Sequence, residues 1–496
     1  MRQARQLFPG RRSQFHSSVA AKFPSCDSGV ATSTPNRLSK YLGRAVASRR
    51  SCPLSKMPTP QTIAAPPSSR GLPRVQAARY CCPDLIGLEH YDSWMAEELA
   101  EEIRDLAARL RGARICHLNS TASGGGVAEM LGSLVPLYSV LGITSEWRLI
   151  IGDEEFFRIT KSFHNALQGA PLALSESARD AYLEQNRVSA EQLDGDYDLY
   201  VIHDPQPAAI RHFAGSRRGK WIWRCHIDNS APNPAVWQFV RPFVEEYDAV
   251  VFTMKNFQPP DLRDGSVSFI PPAIDPLSTK NLELPEDLYC RVLSELGVSR
   301  RKPILLQVSR FDPWKDPLGV LRAFHLVRKE LPGVQLVLVG GMASDDPQGG
   351  EILASLRRHA AGAPGVHIFT NLGNLEVNAF QQAAYAVIQK SVKEGFGLVV
   401  SEALWKRKPV VAGNVGGIPM QFPAGYERFL VESPEECAAR LLDLLKHPRM
   451  AESFGAAGRA KVAAEFLLPR LVRDELRLFN NLLNPPPPVS GNGSHN

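Results

Sequence analysis

Two glutamates eight residues apart, Glu394 and Glu402, bracket a glycine turn in SVKEGFGLVVSEALW, residues 391–405. A carboxylate carries two acceptor oxygens, a match for the paired hydroxyls of a sugar or a ribose. Gly395 and Gly397, on either side of Phe396, let a ligand approach the backbone closely. Leu398 begins a short apolar run that opens a helix holding Glu402. Phosphate oxygens would take the N-terminus of that helix instead. The helix dipole alone would account for one acid at this place, but not for the spacing. Upstream, VSRFDPWKD sets Arg310 at the end of an apolar strand and Lys315 five residues on. Two such cations suit the charge-assisted hydrogen bonds of a pyrophosphate, with surface salt bridges as the plainer alternative.

Further polar residues stand where strands stop. VIHDPQP places His203 and Asp204 at one strand end, and WRCHIDNS places His226 and Asp228 at the next, with Arg224 beside them. One histidine in such a position suits a hydrogen-bonded core. Two His/Asp pairs on successive strand ends would face one crevice and could orient the hydroxyls of a polyol. Gly124, Gly125 and Gly126 follow a strand and open a helix, offering backbone N–H groups to a ligand or simply making a tight turn. They form neither G-x-G-x-x-G nor a P-loop, which disfavours NAD and ATP enzymes. Gly416 and Gly417, after another strand, could hold a phosphate or a sugar in the same way.

The elements that must position these residues alternate. From ARICHLNS onward, strands and helices succeed one another to SVSFIPPAID, and a second series runs from KPILLQVSRFD. Repeated βα alternation means parallel sheets covered by helices, and two series parted near residue 275 mean two doubly wound α/β domains. Ligands of such sheets bind at the carboxyl ends of the strands, where the unusual residues cluster. The expected organisation is a disordered segment over 1–75, a basic transit peptide followed by a Pro/Ser-rich linker at 58–75. A Rossmann-like domain covers 76–275 and a second covers 276–466. A helix over 467–484 packs back on the first domain, and a disordered tail covers 485–496.

Bulk properties narrow the class. Residues 1–80 carry 14 Lys/Arg against the single acid Asp27, a balance of +13. The remainder holds 43 bases and 50 acids, a balance of −7, so the body of the chain shows no basic footprint for nucleic acid. The Arg/Ser/Ala-rich first 57 residues suit a mitochondrial or plastid transit peptide. A start at Met57 and a cytoplasmic location are the alternative. No apolar run is long enough to span a membrane. The eight cysteines show no C-x2-C pair or metal-ligand spacing, which points to free thiols in a reducing compartment.

Together these motifs resemble a known family. EGFGLVVSE is similar to the E-x7-E signature of retaining glycosyltransferases of the GT-B type, which face two Rossmann-like domains across a cleft. SRFDPWK resembles their S-R-x-x-x-x-K element, and KPVVAGNVGGIP their glycine loop. HLNSTASGGGVAEMLGSLVPL, EEFFRITKSFHNALQG, HDPQPAA, WRCHIDNSAPN and PPAIDPLSTKN resemble the trehalose glycosyltransferring synthases, whose near relatives include the fungal trehalose phosphorylases. The resemblance spans about residues 112–482.

It implies an N-terminal acceptor domain and a C-terminal donor domain that join glucose from an NDP-glucose to free glucose, giving α,α-trehalose, with no metal or cofactor. Trehalose phosphorolysis is the alternative enzyme, and a non-catalytic sugar-nucleotide sensor a more distant one. By the same resemblance Arg310 and Lys315 meet the diphosphate, Glu394 the donor glucose and Glu402 the ribose. The amides of Gly124 to Gly126 and of Gly416 and Gly417 complete the pocket, and Asp204 and His226 contact the sugars. The resemblance also implies a homodimer. Because the two glutamates have binding roles, no nucleophile is evident, and front-face attack is expected.

Overall fold

A computed structural model of the chain describes residues 61–63, 71–76, 87–262, 267–341 and 348–485. The expectations of a transit peptide before residue 58 and of a disordered tail beyond 485 fall outside these residues.

The first lobe is built on strands β1 (Gln61–Ile63), β2 (Arg74–Gln76), β3 (Arg114–Asn119), β4 (Thr144–Leu149), β5 (Leu199–His203), β6 (Lys220–Cys225), β7 (Ala249–Phe252) and β8 (Val267–Phe269). Their order is β1-β2-β4-β3-β5-β6-β7-β8. From β4 to β8 the neighbours pair in parallel, and β1 and β2 form an antiparallel edge. At 61–63 and 71–75 this edge corrects the expectation of a disordered linker, and the rest of that stretch lies outside the described residues. The prolines of that stretch fall outside Gln61–Ile63 and Arg74–Gln76, so both short runs keep the N–H donors that pairing needs. Val75 is thereby buried in a cluster with Leu131 and Trp147. Helices of this lobe include α1 (Glu97–Arg109), α2 (Gly126–Val140), α3 (Glu154–Leu167), α4 (Glu176–Gln192), α5 (Ile210–Phe213) and α6 (Pro234–Val244).

The second lobe carries β9 (Ile304–Val308), β10 (Gln335–Gly340), β11 (Val366–Thr370), β12 (Ala386–Gln389), β13 (Val410–Gly413) and β14 (Leu430–Val431). They pair in parallel throughout, in the order β11-β10-β9-β12-β13-β14. Counted within the lobe this is 3-2-1-4-5-6, the doubly wound dinucleotide-binding order. β9, β10, β12 and β13 are buried along their whole length, because helices cover both faces, and their near-continuous apolar runs follow from that. The helices are α7 (Glu286–Glu295), α8 (Pro317–Glu330), α9 (Gln348–Ala360), α10 (Asn374–Ala383), α11 (Leu398–Trp405), α12 (Pro434–Lys446) and α13 (Pro448–Glu465).

A last helix, α14 (Leu468–Leu483), crosses back to α1 and α2 of the first lobe. Leu471, Val472, Leu476 and Phe479 recur at helical spacing and are buried in the first lobe's core. Each such side chain contributes on the order of 1.5–3 kcal/mol. Where the chain crosses, Ile274 and Leu467 form a parallel bridge, and Arg470 donates to the carbonyls of Pro271 and Pro272 at 2.8 and 2.9 Å.

Each sheet has one place where the winding reverses, between β3 and β5 in the first and between β9 and β12 in the second. Loops leave in opposite directions there and open a crevice. The two crevices face each other.

Candidate active site

The crevices join in one cleft with a cavity of about 630 Å³, lined from both lobes. On the second lobe, β9 delivers Arg310 and the turn that follows holds Lys315. That turn is fixed at three points. Asp312 accepts from the Trp314 amide at 2.8 Å, Gln307 donates to the Lys315 carbonyl at 2.8 Å, and Asp316 adopts a left-handed φ of 46° to cap α8 through the Gly319 amide. Aspartate tolerates that conformation better than most residues. Lys315 Nζ lies 2.6 Å from Glu394 Oε2. Gln389 and Ser391, at the end of β12, donate to the same oxygen at 3.2 and 3.1 Å, which leaves Oε1 for a ligand.

The glycines here serve close packing. Gly397 caps α11 with φ +81°, and a Cβ on Gly395 would stand 2.3 Å from the His226 carbonyl oxygen of the opposite lobe. A Cβ on Gly126 would likewise meet Leu398 at 2.9 Å. The lobes thus touch through two glycines, one from each side. Glu402, on α11, is 1% exposed and still lines the cavity. Its Oε1 lies 2.9 Å from Lys280 Nζ, and Gln381 donates to Oε2 at 2.7 Å. Lys280 also meets Glu129 of α2 at 3.0 Å, so one ammonium ties the two lobes together. Burial opposes ionisation of Glu402, yet Lys280 and Lys406 outweigh that cost and hold its carboxyl below the usual range.

On the first lobe, the loop after β3 turns at Gly124, φ +83°, and starts α2, with Gly124, Gly125 and Gly126 lining the cavity. Asp204 ends β5 with a positive φ of 66°, a strained place for a residue with a side chain. Three hydrogen bonds hold it. Its amide donates to the Arg224 carbonyl at 2.9 Å, its carbonyl accepts from Trp223 Nε1 at 2.9 Å, and its Oδ1 accepts from the His226 amide at 2.9 Å. Burial pushes the Asp204 carboxyl up to about 7, against the pull of the His226 N–H and Arg224. His203 and His226 line the cavity beside it.

Several expected contacts fall elsewhere. Arg224 is buried and turned away from the cleft, paired with Glu475 of α14 and donating to the Ile270 carbonyl at 3.4 Å. Its pairing with Glu475 draws it under α14, although it stands only one residue before the end of β6. Gly416 and Gly417 do not line the cavity among the described residues. The Gly417 amide is taken by the Gly395 carbonyl at 2.9 Å, and a Cβ on Gly416 would lie 1.7 Å from the Glu394 carbonyl oxygen. The pair supports the Glu394 turn from behind. The ring of Phe396 enters the core against Phe466, at 5.4 Å, so its backbone is what faces the cleft. Asp228 accepts from the Ser230 amide at 3.0 Å and shapes a turn.

The cleft also holds residues the motifs did not single out. Lys280 and Glu129 are two. Lys161 and His164, three apart on one face of α3, are two more, and Lys161 lies 3.6 Å from Asp312 of the other lobe. Burial, with Lys161, Arg310 and Lys315 adding to it, keeps His164 well below its usual range and hence neutral. The polar positions of FFRITKSFHNALQ, at helical spacing, were the available signal for the α3 pair. Lys280 carries no local signal, because its partners come from two other elements.

Residues 117–259 match the model of the trehalose synthase N-terminal domain, and residues 294–461 match that of glycosyl transferases group 1. The chain is 50% identical over 409 residues to a trehalose synthase of Rubrobacter xylanophilus, covering 81% of this chain and 98% of that one. It is 43% identical over 400 residues to a trehalose synthase of Pyrococcus horikoshii, covering 80% and 96%. Among solved structures, sucrose-phosphate synthase of Thermosynechococcus elongatus superposes with a TM-score of 0.57 at 17% identity, over 74% of this chain and 99% of that one, a likeness of fold alone. With two lobes of this topology and relatives matched over nearly their full length, the chain belongs to the trehalose synthase family of GT-B glycosyltransferases.

Proposed function

We propose that the enzyme transfers glucose from a nucleoside diphosphate glucose to free glucose, giving α,α-trehalose with the donor's α configuration retained. The observation that carries this reading is the convergence, on one cleft, of Arg310, Lys315, Glu394 and Glu402 with the Asp204–His226 corner. Arg310 and Lys315 take the diphosphate and offset charge developing on the leaving group. Glu394 offers Oε1 to hydroxyls of the donor glucose while Lys315 fixes its other oxygen. Glu402 takes the ribose. Lys280 and Gln381 use two of the acceptor sites of that carboxylate, and about four exist on the two oxygens. The amides at Gly124 to Gly126 face the phosphates, and Asp204 and His226 hold sugar hydroxyls.

Glu394 is paired and hydrogen-bonded, an arrangement for holding rather than attacking. Attack therefore comes from the acceptor hydroxyl on the leaving-group face, through an oxocarbenium-like state, and the departing phosphate takes the acceptor's proton. Detection of a covalent glucosyl-enzyme by mass spectrometry would overturn this step.

The deciding experiment incubates the purified chain with glucose and, in turn, UDP-, ADP- and GDP-glucose. Trehalose with stoichiometric nucleoside diphosphate is the expected result. Absence of transfer from every donor, with glucose 1-phosphate released from trehalose and phosphate, would replace the reading by phosphorolysis.

A further inference from the structure

Three histidines climb diagonally across the first sheet. β3, β5 and β6 are neighbours, and their register sets His117 beside Val201 and His203 beside Arg224. His203 stands two residues above the partner of His117, and His226 two residues above the partner of His203. Steps of two keep all three on one face. His117 and His203 are buried, and His226 lines the cavity. His117 Nδ1 lies 3.2 Å from His203 Nε2, and His203 Nδ1 lies 3.0 Å from His226 Nε2. Adjoining rings are stacked at 28° and 11°. Burial first, and then neighbouring positive charge, keeps all three rings neutral, with His117 pushed down to about 3.

A neutral imidazole has one N–H and one lone pair. Two linked bonds in a row therefore allow two consistent arrangements, with every ring donating toward the cleft or every ring donating toward the core. The buried end decides between them. His117 Nε2 has no hydrogen-bond partner among the described residues. Donation toward the core would leave there an orphaned N–H, the rarer kind of unsatisfied buried group. Donation toward the cleft leaves a lone pair instead, which the positive charge of Arg224 nearby favours.

We infer that His117 and His203 are positioning residues that fix the tautomer of His226, so that its Nδ1 carries the proton and donates to an oxygen of the bound sugar. This rests on the reading of the cleft as a sugar site. It makes the first lobe's corner a matched pair, with His226 as donor and Asp204 as acceptor.

The test is the imidazole nitrogen–proton correlation spectrum of the full chain labelled with 15N-histidine, assigned by the loss of signals in single variants. His117, His203 and His226 should all carry their proton on Nδ1. A proton on Nε2 of any of the three in the wild-type spectrum overturns the inference. His203→Leu should leave His226 a mixture of tautomers and lower kcat/KM about tenfold, the scale of one hydrogen bond. His203→Gln, whose amide both accepts and donates, should restore the Nδ1 form and most of the activity. An unchanged His226 tautomer in His203→Leu also overturns the inference. If the wild-type chain transfers no sugar, the functional reading fails while the spectrum still decides the relay.

Discussion

The two walls of the cleft manage charge in opposite ways. On the second lobe, ionised groups stand in pairs. Lys315 meets Glu394 at 2.6 Å, Lys280 meets Glu402 at 2.9 Å, and Arg310 lies 3.7 Å from Asp312. On the first lobe, the groups at the strand ends carry little charge, with histidines held neutral and a carboxyl pushed up to about 7. Both walls are substantially buried, so desolvation alone does not separate them. What differs is the supply of counter-ions. The second lobe brings a lysine to each glutamate, whereas the first brings a backbone N–H to Asp204 and other histidines to His226. A wall of paired ions can exchange a partner for a phosphate, and a neutral wall suits hydroxyls. The difference lies in the partners each sheet brings to its strand ends, not in how deeply those ends are buried.

The sharpest way to break this comparison is to remove one ion from the second wall. Lys315→Ala and Glu394→Ala should each cost on the order of 2–4 kcal/mol in kcat/KM, the scale for losing one transition-state contact. The double variant should cost less than the sum, because the two side chains touch. Additive losses in steady-state kinetics would mean that they act separately. Gly395→Ala comes next. Its Cβ would press within 2.3 Å of the His226 carbonyl and push the walls apart, so kcat/KM should fall up to about 100-fold, the scale for misplacing reacting groups by an ångström. A Tm close to the wild type's should accompany that loss, because the strain can be relieved by opening the cleft. Normal turnover in this variant would mean that the walls need not meet.

Much of this was legible in the residues, and the exceptions share a cause. The alternation of apolar strands and helices implies both sheets, because the 2.0 and 3.6 periods are local properties. Arg310, Lys315 and Glu394 were also legible, because each follows closely on the carboxyl end of a strand, and Glu402 because it stands in the helix that the same glycine turn opens. Lys280 was not, because its role is defined by Glu129 and Glu402, which lie 151 and 122 residues away in opposite directions. Arg224 faces α14 instead of the cleft, because its partner Glu475 lies far along the chain, where no local spacing announces it. His117 sits in the middle of an apolar strand, and its meaning appears only once β3 and β5 are aligned. Gly416 and Gly417 show the same limit in the backbone, since a glycine pair signals close approach without saying to what.

Lys280 gives a smaller test, on stability. Its loss leaves Glu402, 1% exposed, as a buried charge short of a partner. Lys280→Met should therefore lower the unfolding free energy by about 3 kcal/mol in urea titrations. Adding Glu402→Gln should recover most of that, while the donor KM stays raised in both variants. A single variant as stable as the wild type would show that Lys406 and Gln381 satisfy the carboxylate without Lys280.

The remaining test belongs to the neutral wall and is read through pH. The Asp204 carboxyl is raised to about 7 in the folded chain, against about 4 for an unfolded aspartate. Between those values the folded state keeps a proton that the unfolded state has lost. The contribution of Asp204 to stability is therefore complete below about pH 4 and declines as pH rises to about 7, above which it is flat. The neutral histidines pull the other way. Their lowered values mean that the unfolded state takes up protons that the folded state refuses, so their contribution grows as pH rises toward 6.5. The two slopes oppose each other, and the wild-type curve alone cannot separate them. The difference in Tm between the wild type and Asp204→Asn can, because the histidine term is common to both. The wild type should lose stability relative to the variant from pH 4 to pH 7 and run parallel to it above. A difference that is flat across that range would mean that Asp204 is ionised at its ordinary value, and the first wall would then carry a charge after all.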